Sequence, residues 1–145
     1  MLDEVGWQRH WGFPFEPYAK LFDLHSWGVE LVAAGTNPVP DSTTGFQVPA
    51  GYDRVLSDAV TGGELAPGLD HRLARTMAWS DHRIATTALS RWDGQGYLVI
   101  LTDRTRVEGG KGVNWQVDEL TDAPVHSVVL GWGEPACYAG DTLIK

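Results

Sequence analysis

Cysteine occurs once in this chain, at Cys137, which excludes an intrachain disulfide and any zinc site built on several thiolates of one chain. That usage suits a reducing compartment, so a cytoplasmic location is the expectation. Long apolar runs are missing as well. No stretch approaches the roughly 20 residues needed for a membrane-crossing helix, and the opening Met1-Leu-Asp-Glu-Val-Gly has neither the basic leader nor the apolar core of a signal peptide. Cations are scarce: eleven Lys and Arg face nineteen Asp and Glu, for a formal charge of −8. Binding a phosphate backbone or an anionic bilayer requires clustered cations, and only Arg104 and Arg106 come near a cluster. Nucleic acid and membrane are therefore not expected as partners, whereas the same negative field would steer in a basic protein.

Catalytic motifs are equally sparse. The five histidines, His10, His25, His71, His82 and His126, show no metal-ligand spacing, and neither HExxH nor Gly-x-Ser-x-Gly occurs. Asp23 with His25, Asp70 with His71 and Asp81 with His82 are neighbours in sequence, but a general-base dyad requires contact in space. Gly109-Gly-Lys-Gly112 lacks the Walker spacing and reads as a hairpin turn. Cys137 reads as an inert thiol on the last strand. No catalytic residue, metal ligand or cofactor is expected.

What the chain does have is bulk. Its 145 residues, 43% hydrophobic, suffice for one domain, and seven Trp, four Tyr and four Phe supply large core and interface side chains. Many of these rings fall between Trp7 and Trp27. Trp7, Trp11, Phe13, Phe15 and Tyr18, set beside Arg9, His10 and Lys20, have the residue types of an interface hot spot and are the candidate partner-binding residues. Glu16-Pro17 suits a helix start, with Tyr18, Leu21, Phe22 and His25 roughly on one face, while a strand-like period of two fits residues 20–27 nearly as well. Val29 to Ala34 reads as a short strand or a second helical piece.

Residues 35–51, with three prolines and three glycines, form a loop long enough to be functional, mobile, or packed through Phe46 and Val48, and they mark the one candidate boundary within a single domain whose aromatic, helical segment (1–62) contains the loop and whose β-rich segment is 63–145. Helices are expected over 52–61, stopped by Gly62-Gly63, and from Leu69 to Trp79, with Asp70 at the positive end. Beyond Ser80-Asp81 the period becomes strand-like. Strands are expected over 83–92, 97–107, 113–118, 125–132 and 136–144, the first two joined as a hairpin by Asp93-Gly94. Val113, Trp115 and Val117 alternate as the buried face of one strand, and Arg104 and Arg106 share a face of another, about 7 Å apart by the strand rise, as a candidate clamp for a carboxylate or phosphate. The alternative for the two arginines is cross-strand pairing with Asp118 or Glu119.

The expected fold is thus α+β, an antiparallel β-meander of about five strands (83–144), partly closed or barrel-like, preceded by short helices and an aromatic-rich N-terminal segment. Leu65-Ala-Pro-Gly68, the strand 83–92, Tyr97 to Val107 with its Leu-Thr-Asp-Arg, Val113 to Leu120 and Val125 to Val129 together resemble bacterial pleckstrin-homology-like domains over residues 65–130. That resemblance implies a strongly bent, partly closed sheet serving as a binding module. The functional expectation is a non-enzymatic protein-binding module such as an acidic inhibitor or immunity-type protein. The alternatives are a structural subunit of a larger assembly such as a phage particle, and a small His/Asp-dependent hydrolase or isomerase.

Overall fold

The computed structural model describes residues 14–35, 45–61, 68–130 and 142–144. The chain divides into two compact units, Met1–Ala33 and Ala34–Lys145. The first contains helix α1 (Glu16–Asp23), continued by a 3₁₀ turn at Leu24–Trp27. Pro17 sits in the first turn, where a missing N–H breaks no helical hydrogen bond, and Glu16 complements the positive helix end. Gly28 ends the element at φ 85°, a left-handed position that its lack of a Cβ allows, and its N–H donates to the His25 carbonyl at 3.1 Å.

The described residues of the second unit form three helices: α2 (Tyr52–Thr61), α3 (Leu69–Leu89) and α4 (Val113–Leu120). Two 3₁₀ turns, Arg104–Arg106 and Glu108–Gly110, lead into α4. Strands β1 (Val128–Leu130) and β2 (Thr142–Ile144) pair in parallel, Val128 opposite Thr142 and Leu130 opposite Ile144. Along α3 the buried Ala74, Ala78, Asp81, Ala85 and Ala88 recur at steps of four and three, the period of one helix face. Such small side chains let neighbouring elements approach closely. The N-terminal half of that face joins Tyr52 and Leu56 of α2 in a core completed by Phe46, Val48, Val55, Leu73 and Met77. The C-terminal half, Ile84 and Ala85, meets Val113 and Val117 of α4 in a second core, against which Ala34, Leu89, Ile100 and Val125 are packed.

The five-strand antiparallel meander is not the fold. Residues 83–89 continue α3, the Asp93-Gly94 turn joins no strand pair, Val113–Leu120 is helical, and the paired strands among the described residues run parallel. The bent, partly closed sheet of pleckstrin-homology-like domains is therefore absent from the described residues. The physical reason lies in which positions are buried. In α4 these are Val113, Gln116 and Val117, spaced i, i+3, i+4, so a buried glutamine completes the helical face and Trp115 is only half-buried. In α3 the β-branched Thr86 is accommodated because its hydroxyl donates back to the His82 carbonyl at 2.9 Å. The expected helices at Glu16 and at 52–61 are present, and the one starting at Leu69 runs ten residues further than its expected end at Trp79. Residues 29–35 adopt no regular secondary structure. Gly62-Gly63 and most of loop 35–51 lie outside the described residues; of the three readings open for that loop, the described part fits the packed one, Phe46 and Val48 lying against the core.

One chain crossing is very tight. A Cβ at Gly112 would lie 1.9 Å from the Arg106 carbonyl oxygen, so glycine is required where the turns meet α4.

Candidate functional site

Two arrangements carry functional potential, one in each unit. In the first unit Phe15, Tyr18 and Phe22 fall at i, i+3 and i+7 along α1, on one side of the helix, and the Phe15 and Phe22 rings lie 5.2 Å apart between centroids. No residue of α1 or of the 3₁₀ turn is buried. Phe22 is 46% exposed and Trp27 79% exposed, while Glu16, Asp23 and Glu30 outnumber Lys20 around them. The unit thus presents aromatic surface inside an acidic frame. Of the five partner-binding residues expected from sequence, Phe15 and Tyr18 belong to this face; Trp7, Trp11 and Phe13 lie outside the described residues. Phe22 and Trp27 extend the face beyond that set, and the i, i+3, i+7 spacing was the signal that could have added Phe22.

In the second unit the expected Arg104–Arg106 clamp does not exist as a strand face. Both residues belong to a 3₁₀ turn, where side chains two apart diverge. Arg104 is exposed, whereas Arg106 turns inward. Its Nη1 donates to Asp81 Oδ1 at 2.6 Å and to Ser80 Oγ at 3.2 Å, and its Nε donates to Asp103 Oδ2 at 3.1 Å. Its acidic partners are therefore on α3 and just ahead of its own turn, not the Asp118 or Glu119 that a strand pairing would offer. Asp81 is fully buried, and its other oxygen accepts the Tyr52 hydroxyl at 2.5 Å. The Thr105 hydroxyl caps Asp103 in turn.

Burial pushes the Asp81 carboxyl up to about 6, against the lowering pull of the Tyr52 hydroxyl and the Arg106 guanidinium. The Tyr52 phenol is raised well above its ordinary range, by burial first and then by the neighbouring Asp81 charge. For Arg106, burial lowers the proton affinity but the Asp81 carboxylate more than offsets it, leaving the guanidinium firmly charged. The cluster welds α2, α3 and the 3₁₀ turn together. With Asp81 and Tyr52 sealed from solvent, it is an internal polar tie rather than a ligand site.

His82, next in sequence to Asp81, faces elsewhere. The Gln47 carbonyl can only accept, so Gln116 Nε2 points at it across 2.9 Å; Gln116 Oε1 then meets His82 Nδ1 at 3.1 Å, which fixes the ring proton on Nδ1. The Asp81-His82 neighbours thus form no dyad. Sequence reasoning missed Tyr52, Asp81 and Gln116 as organising residues. The legible trace was a carboxylate standing in the four-three register of buried alanines, a position where an acid must find a partner. Among the described residues no three His, Cys, Asp or Glu side chains converge as a metal site would require, and no helix is long and apolar enough to cross a membrane. His126 is exposed ahead of β1, and Cys137 lies outside the described residues. No family model, curated protein or solved structure matches this chain.

Proposed function

We propose that the protein is a non-enzymatic protein-binding module that engages a basic partner through the aromatic face of its N-terminal unit. The observation that carries this reading is a helix and 3₁₀ turn without a single buried residue, displaying Phe15, Tyr18, Phe22 and Trp27. An amphipathic helix recognised in an apolar groove offers anchors at this spacing, and aromatic anchors dominate binding energy in such interfaces. Glu16, Asp23 and Glu30, within a chain of net charge −8, favour a partner whose groove is rimmed by Lys or Arg. An inhibitor or immunity-type protein acting on a basic enzyme fits this description. The hydrolase alternative draws no support from Asp81, which is closed to solvent, or from His82, which is turned to Gln116.

The test is capture from extracts of the source organism with the wild-type chain and with Phe22→Ala/Trp27→Ala. The double variant is expected to melt close to wild type, because neither side chain is buried, yet to lose the captured protein, and that protein should elute at raised salt. Unchanged capture by the folded double variant would refute the aromatic face as the binding surface.

A further inference from the structure

Residues 97–103 belong to no helix, turn or paired strand, and their exposure alternates strictly: the odd positions are exposed and the even ones half-buried. Tyr97 is 98% exposed, Val99 72% and Leu101 70%, whereas Ile100 packs on the second core. This is the pleat of a β-strand with its outer face apolar. Among the described residues, no backbone N–H or C=O of 97–102 has a hydrogen-bond partner. The segment is nevertheless fixed at both ends. Before it, Trp92 Nε1 donates to the Gln95 carbonyl at 2.8 Å and the Gln95 N–H donates to Asp93 Oδ1 at 2.9 Å. After it, the Asp103 carbonyl accepts the Arg106 N–H at 3.2 Å, and Arg106 is anchored on Asp81.

A segment with strand-like alternation, β-favouring side chains and backbone groups unpaired among the described residues is a template for another strand, and no proline or lysine within it blocks pairing. We infer that the occupant is a second copy of this chain, the two 97–102 segments pairing antiparallel about a twofold axis at Val99. The side-chain pattern selects both the copy and the register. With Val99 opposite its own counterpart, Tyr97 faces Leu101 and Leu101 faces Tyr97, so each outer apolar residue meets an apolar one, and the Gln95 amide at either end meets an Asp103 carboxylate. Sliding the register by two residues sets Tyr97 against Asp103 in one direction and Leu101 against Gln95 in the other. A segment complementary to itself when reversed is what an isologous twofold contact requires. This inference uses the second unit alone and does not depend on the N-terminal face.

The full chain is expected to sediment at twice its 15.9 kDa at tens of micromolar and to dissociate on dilution. Leu101→Lys should weaken the dimer at least tenfold while the circular dichroism and melting temperature stay near wild type, the position being exposed. Register is read by oxidation in a Cys137→Ser background: Val99→Cys should cross-link to itself rapidly, and Leu98→Cys, facing its own protomer's interior, should do so at least tenfold more slowly. Amides 98–102 should exchange freely with deuterium in the diluted monomer. A single-chain mass at 100 µM, equal cross-linking at 98 and 99, or protection of those amides that persists in the monomer would each overturn the inference; the last would mean that the chain covers this strand itself.

Discussion

Asp81 concentrates the energetics of the second unit in one carboxyl. Its folded value of about 6 lies above that of an unfolded carboxylate, so its stabilising contribution is complete below about pH 4 and is lost as pH rises through 6. A shift of this size corresponds to roughly 3 kcal/mol. Urea titrations between pH 4 and 7 should therefore show a falling component that Asp81→Asn abolishes; a component that survives the substitution would assign it to another group. Tyr52→Phe removes a donor that lowers the Asp81 value, so it should move the midpoint above 6, as read by carboxyl NMR, at a cost of about 1–3 kcal/mol in stability. Gly112→Ala is a different kind of change. It drives a Cβ into the Arg106 carbonyl and displaces the turn that delivers the guanidinium to Asp81, so a loss above about 2 kcal/mol is expected from chemical denaturation.

At the scale of elements, α3 is the spine, and its small-residue face sets how closely α2 and α4 approach. Ala85→Leu would force three additional carbons into the contact with Val113 and Val117 and should cost about 1–3 kcal/mol by thermal melting; a neutral result would mean that the second core has room to spare. Period was the point at which the sequence was hardest to read. Arg83 to Leu89 holds Ile84, Thr86 and Thr87, which favour a strand locally, while the four-three spacing from Ala74 to Ala88 spans both halves of one helix. Val113, Trp115 and Val117 alternate, and only the burial of Gln116, bonded to Gln47 and His82, turns that alternation into a helical face. Both segments satisfy two periods at once, and the side of each residue that finds a partner decides between them. By contrast α2 carries a clear mark, Val55, Leu56 and Ala59 at helical spacing, while in α1 Glu16-Pro17 marks the start but a period of two fits residues 20–27 nearly as well. The aromatic face of α1 was legible only in part: Phe15 and Tyr18 stood among the expected partner-binding residues, and the i, i+3, i+7 line that joins Phe22 to them shows once the segment is known to be helical.

For the whole molecule, charge separates the two proposed associations. Two copies of a −8 chain repel, so raising salt should tighten the dimer paired at Val99, whereas attraction between this acidic chain and a basic partner should weaken under the same change. Sedimentation and capture assays run from low to high salt should consequently move in opposite directions, and movement together would refute one of the two. The amino-acid sequence by itself determined the charge, the bar on an intrachain disulfide and the helix over 52–61, because composition and the spacing of apolar residues in a short helix act locally. Tertiary structure alone decided that 83–89 and 113–120 are helical, that the Arg104–Arg106 pair is split between surface and interior, and that exposure alternates along 97–103, a segment with no paired neighbour among the described residues. Each of these outcomes depends on what a side chain meets across the fold: Arg106 on a buried Asp81, Gln116 on His82, and the outer face of Tyr97, Val99 and Leu101 on nothing within the described residues.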